Sequence, residues 1–144
     1  MSFLTDLDVP SPVIQGLRAV RFLFRSVEDD GIPLGVDRGI MARALNDLNG
    51  AVLITCDTGI PSQAYYYQYA QNGLTVVVLR WKRRTDRDLQ EMLLAILRYS
   101  DEWLERASQS PSIISVSRFG SRPRAWTEVP EAIAPGESRI ANNT

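Results

Sequence analysis

Four aspartates, Asp6, Asp8, Asp37 and Asp57, and the basic run from Arg80 to Arg87 are the residues whose types and spacing could do chemistry. Asp6 and Asp8 follow the short apolar segment Phe3 to Thr5, and Asp57 follows the apolar run Ala51 to Cys56. Asp37 comes two residues after Gly35, at an expected helix start on the crossover into that run. Neighbouring carboxylates repel one another, and their burial is costly without a counter-charge. A hard divalent cation such as Mg²⁺ or Mn²⁺ resolves both problems, because it prefers oxygen ligands and keeps several waters. Held by two to four carboxylates, such an ion can activate water and neutralise charge on a phosphodiester in its transition state.

The basic residues offer a complementary function. Of 16, five lie between Arg80 and Arg87 and three more between Arg118 and Arg124, although the net charge of the chain is only −1. All but Lys82 are arginine, whose planar fork suits phosphate and carboxylate. Arg80, Lys82, Arg83 and Arg84 are therefore expected to hold nucleic-acid phosphates. The run precedes a helix start, where positive charge is unfavourable, so its placement calls for a reason other than helix stability. The chain has no histidine, which removes histidine triads, histidine-ligated zinc and histidine acid–base catalysis.

Strands and helices must alternate to position these groups. Phe3 to Thr5, Arg21 to Val27, Ala51 to Cys56, Leu74 to Trp81 and Pro111 to Phe119 read as five strands. Between them, helices are expected after Pro10 and Pro12, from Asp37 to Leu48, after Pro61 and closed by Gly73, and after Thr85. Thr85 and Asp88 have capping-box spacing, and Leu89, Met92, Leu93, Ile96, Leu97, Trp103 and Leu104 form the buried stripe of that last, longest helix. The pattern predicts a single three-layer α/β/α domain with a mostly parallel five-stranded sheet and right-handed crossovers. In such a sheet ligands bind beyond the carboxyl ends of the strands, which is where the aspartates and the basic run fall.

At 144 residues with 44% hydrophobic content, the chain has enough apolar material for one core. Residues 1–126 are expected to form the domain, and the polar stretch 127–144 a flexible tail. Cys56 is the only cysteine, which fits a reducing compartment. The opening MSFLTDLDVP has neither a basic start nor a long apolar run. Leu74 to Leu79 is far short of the ~20 residues that span a bilayer. A soluble, cytoplasmic protein without membrane contact is the expectation.

The segments FLTDLDVPSPVIQGL, GVDRGIMARAL with AVLITCDTGI, and VVVLR, followed by a long helix and SIISVSRFGSRPRAW, stand in the order seen in PIN-like nucleases. The chain resembles the compact branch found among toxin–antitoxin and uncharacterised bacterial proteins, over about Met1 to Trp126. The resemblance implies a PIN-like fold and a Mg²⁺- or Mn²⁺-dependent endoribonuclease. It makes Asp6, Asp37 and Asp57 the catalytic metal ligands, with Asp8 where the family often has Asn. It also implies an RNA substrate and, for a toxin, a restraining antitoxin or regulatory protein; a homodimer is compatible with it. Arg38 and Gly39 follow Asp37 where the family often adds acid, and Gly59 and Ile60 stand where it often has a further Asp and an aromatic residue. A four-carboxylate site then depends on Asp8.

Two other functions fit parts of the pattern. A catalytically weak or inactive PIN-like module would use Arg80 to Arg87 as a docking surface. A haloacid-dehalogenase-like phosphatase would take Asp6 as nucleophile with Asp8, Thr55 and Lys82 as its further motifs. Each aspartate also has a plain structural use, as a helix cap or loop residue, and Cys56 as a small core residue.

Overall fold

A computed structural model describes residues 2–27, 51–59, 69 and 71–125. Six strands and two helices lie within them, in the order β1 (Ser2–Thr5), α1 (Ser11–Ala19), β2 (Arg25–Ser26), β3 (Ala51–Thr55), β4 (Thr75–Leu79), α2 (Asp86–Gln109), β5 (Ser112–Ser117) and β6 (Gly120–Ala125). The expected helix at 37–48, Asp37 itself, most of the expected helix after Pro61 and the expected tail at 127–144 lie outside the described residues.

The strands form one sheet in the order β2-β1-β3-β4-β5-β6, parallel throughout except for the antiparallel β5–β6 pair. Phe3, Val52, Ile54, Val77, Leu79, Ile114 and Val116 share one face and pack with Val13 and Leu17 of α1 and with Met92, Ile96 and Trp103 of α2. Leu4, Leu53, Val76, Val78 and Ile113, which alternate with them, are equally buried. Both sides of the sheet are thus withdrawn from water, as continuous apolar strands require.

α1 begins after Pro10 with Pro12 in its first turn, where the missing N–H is no loss. It ends in a Schellman turn, with Phe22 N–H donating to the Leu17 carbonyl and Arg21 N–H to that of Arg18. Arg21 takes the left-handed position, at φ 60°, that glycine usually fills. That reversal corrects the expected strand at Arg21–Val27: the chain is still turning at Arg21, and β2 is only Arg25–Ser26. Gly73 sits at φ +107° and Leu74 N–H donates to the Tyr69 carbonyl, the same closure and the stop expected there. α2 carries the full Thr85–Asp88 capping box. Hydrogen bonds from the Thr85 side chain and backbone hold the Asp88 carboxyl below its ordinary pKa.

Two further features depart from expectation. β6 was not foreseen, because Gly120 and Pro123 read as strand breakers; Pro123 is tolerated because β6 is the edge strand. α1 and α2 also lie on the same face, in mutual contact. The step from β1 to β2 and the step from β4 to β5 run in opposite lateral directions across that face. The two crossovers therefore have opposite hands, and the uniform right-handedness expected of βαβ units does not hold. The helices meet closely at Gly16, where a Cβ would stand 2.5 Å from Leu93 Cδ2.

Registers Thr5↔Ile54, Thr55↔Val78 and Leu79↔Val116 align the carboxyl ends of β1, β3, β4 and β5 along one edge. Asp6, Asp8, Asp57, Arg80 and Lys82 all follow strands that end there. Among the described residues no helix is long and apolar enough to cross a membrane.

Candidate active site at the carboxyl edge of the sheet

The chain steps from β1 sideways to β2 and then returns to the other side of β1 as β3. The crevice rule for open α/β sheets points to the edge at such a reversal, and the acidic residues stand on its two sides. Asp6 continues the ladder, its N–H donating to the Ile54 carbonyl. Its side chain is buried, with Oδ1 accepting from Leu7 N–H at 2.7 Å and Oδ2 from the Thr55 hydroxyl at 2.8 Å. Asp8 Oδ1 accepts from Cys56 N–H at 2.9 Å, and both Asp8 oxygens lie within 3.3 Å of Thr55 Oγ1.

Thr55 is the centre of this arrangement. It is fully buried at the end of β3 and accepts from Asp57 N–H at 3.0 Å. A hydroxyl has one proton, so at any instant Thr55 serves Asp6 or Asp8, and the two carboxylates share a single donor. β1 and β3 thereby bring together the pair that the sequence placed on one strand end. Asp57 turns toward its own loop, Oδ1 accepting from Gly59 N–H at 2.9 Å. Among the described residues, no three His, Cys, Asp or Glu side chains converge as a ready-made metal group. Asp57 acts on the pair at longer range, through its charge on Asp8.

Burial pushes the Asp8 pKa up, against the lowering effect of the Cys56 and Thr55 hydrogen bonds; the Asp57 charge raises it further, and Arg84 lowers it. The folded value thus lies above the unfolded one. The stability this gives is full below the unfolded pKa and is lost as pH rises through the folded pKa. In its ionised form Asp8 weakens the fold, and a bound cation would relieve it. Cys56 is held as a thiol: burial, with Asp8 as the next cause, pushes its pKa up to about 12. It is no nucleophile at neutral pH.

The basic residues divide. The charge of Arg84 reaches both Asp8 and Cys56. Arg80, Lys82 and Arg83 instead line a cavity of about 500 Å³ beyond β4 and β5, together with Trp81, Arg87, Arg118 and Phe119. Arg80 is fixed by its Nε–H donating to Ser115 Oγ at 3.1 Å. Glu91 on α2 accepts from both Trp81 Nε1–H and Arg118, the latter an ion pair at 3.1 Å. Sequence reasoning gave Arg87 a role only in the docking-surface alternative, gave Arg118 none, and read Phe119 only as the end of the last strand. Phe119 becomes prominent only once β6 folds back and makes Arg118-Phe119 the tip of a hairpin.

No family model, no curated protein and no solved structure matches this chain.

Proposed function

We propose that the chain is a metal-dependent nuclease of the PIN-like class, built as a three-layer α/β/α domain and acting on single-stranded RNA. The observation that carries this reading is the shared Thr55 hydroxyl, which clusters Asp6 and Asp8 at the carboxyl edge of adjacent parallel strands. The donor set suits Mg²⁺ or Mn²⁺, which is commonly held by one or two carboxylates, with waters and substrate phosphate completing the shell. Asp6 and Asp8 would hold the ion, with Asp57 adjacent. Asp37, outside the described residues, is the further ligand that the resemblance implies. A cation bound there supplies Lewis-acid polarisation and water activation.

The chain's own groups do the rest. Leu7 N–H, Cys56 N–H and Thr55 fix the carboxylate orientations before any ligand arrives. Arg84 moderates the local negative charge, and Arg80, Lys82 and Arg83 offer the cationic surface along which a phosphate backbone can lie. The phosphatase alternative needs Lys82 beside Asp6. Lys82 lines the basic cavity, where the nuclease reading gives it a phosphate to hold. As a toxin, the protein would also have a restraining antitoxin.

The test is purified protein with labelled single-stranded RNA and Mn²⁺. Cleavage is expected and should stop with EDTA. Asp57→Asn should remove it while leaving RNA binding equal or slightly tighter, because a negative charge is lost near the phosphates. Changing Arg83 and Arg84 together to alanine should weaken binding and flatten its salt dependence. Cleavage that survives both EDTA and Asp57→Asn would defeat the proposal. No cleavage of any RNA, with no metal bound at millimolar Mn²⁺, would leave a binding module.

A further inference from the structure

Phe119 stands at the tip of the β5–β6 hairpin and is 92% exposed. A two-residue connection between Ser117 and Gly120 holds it there, closed by Gly120 at φ +136° and by Phe119 N–H donating to Ser117 Oγ at 3.1 Å. The ring therefore projects from a short, hydrogen-bonded turn. It lines two cavities at once: the basic one described above and a second of about 470 Å³ that contains Arg80 and Arg122. Cationic side chains thus share these cavities with an exposed aromatic residue, alongside Asp88, whose carboxylate is taken up by Thr85.

Among the described residues Phe119 lies outside the core cluster and packs into none of it. Interleaved aromatic and basic side chains are the recognition chemistry of single-stranded nucleic acid, in which bases stack on the ring and cations follow the backbone. An acidic peptide would satisfy the cations but bring no flat partner to the ring. Arg118 supports the same assignment. Its pairing with Glu91 anchors the side chain at the cavity wall, and the guanidinium has five donors in all, so one pairing does not exhaust it.

We propose that the hairpin tip is a single-stranded RNA subsite, in which a base stacks on Phe119 while Arg83, Arg87 and Arg118 hold the flanking phosphates. The subsite deepens the nuclease reading by naming how its substrate would be held, and it rests on that reading only for the choice of RNA. A duplex, with its bases already stacked on one another, would not offer a face to the ring.

Binding of a short fluorescein-labelled oligouridylate, followed by anisotropy in EDTA, tests this without metal or cleavage. Phe119→Ala should weaken binding by roughly 5- to 150-fold, the range for losing one stacked base, while Phe119→Tyr should keep it. Because the side chain is exposed, the melting temperature should not move, which separates a binding loss from misfolding. An abasic chain of the same length should bind wild type and Phe119→Ala alike. Unchanged uridylate binding in Phe119→Ala, or an equal loss with the abasic chain, would overturn the proposal. So would competition by polyglutamate as effective as that by RNA, which would assign the surface to a protein partner. If Phe119 proves dispensable while Mn²⁺-dependent cleavage persists, only the subsite falls. If stacking-dependent binding is found without any cleavage, the nuclease reading falls and the subsite stands.

Discussion

Replacing Thr55 with valine is expected to lower stability by about 1–3 kcal/mol, the cost of leaving buried polar partners unsatisfied, and to reduce metal-dependent cleavage by roughly 10- to 100-fold, as for groups that orient ligands. The substitution keeps the shape of a fully buried side chain and removes only its hydroxyl. Three groups lose a partner together: the Asp6 carboxylate, the Asp8 carboxylate and the Asp57 N–H. Asp6 keeps Leu7 N–H and Asp8 keeps Cys56 N–H, so the site should loosen without collapsing. The activity loss should therefore exceed what the lower stability explains. Thr55→Ser, which restores the hydroxyl, should recover most of both. Chemical denaturation and cleavage rates on the same samples measure the two effects. A valine variant with unchanged stability would show that water already serves these carboxylates.

The second large effect is structural. Trp103→Ala is expected to cost about 3–5 kcal/mol, as large aromatic truncations in a core do. Trp103 is 1% exposed, stacks with Tyr99 at 6.5 Å between ring centroids, and donates from Nε1–H to Ser121 Oγ at 2.9 Å. It thus ties α2 to β6, the strand that returns from the hairpin tip. For a domain of this size the melting temperature should fall by roughly 10–20 °C. Trp103→Phe retains most of the packing and loses the hydrogen bond, so it should cost about 1 kcal/mol from that bond plus a smaller packing loss. Near-equal effects of the two variants would mean that the hydrogen bond, rather than the buried ring, holds β6 in place.

Much of this was legible in the residues because the relevant signals are local. The continuous apolar runs around Val52–Ile54 and Val76–Leu79 announce strands covered on both faces, and Thr85 with Asp88 announces the start of α2. Gly73 marks a left-handed stop. The illegible parts are those in which tertiary context overrides local preference. Arg21 occupies a left-handed position that composition assigns to glycine, so the length of β2 was overestimated. Pro123 hides β6, because an edge strand tolerates the donor it lacks. The handedness of the two crossovers depends on which face each helix chooses, and a helical stripe does not specify that.

The site divides in the same way. Asp6, Asp8 and Asp57 were visible as acids at strand ends, where β-propensity disfavours them. Their connection through Thr55 was not, because a threonine closing an apolar strand is ordinary. Arg83 and Arg84 are adjacent in sequence, yet Arg83 lines the basic cavity while the charge of Arg84 reaches Asp8.

The central claim is that the edge formed by Asp6, Asp8 and Asp57 binds a divalent cation. The most direct measurement is calorimetric titration of Mn²⁺ into the full chain, paired with melting temperatures with and without the ion. Wild type should bind Mn²⁺ and gain stability, by about 2.7 kcal/mol when the free ion is at 100 times its Kd. Asp6→Asn and Asp8→Asn should each abolish that gain, and Asp8→Asn without metal should be as stable as wild type or more so, because burial disfavours the ionised carboxyl it removes. Absence of heat and of any melting shift in wild type at millimolar Mn²⁺ would contradict the claim, as would a shift that survives both substitutions.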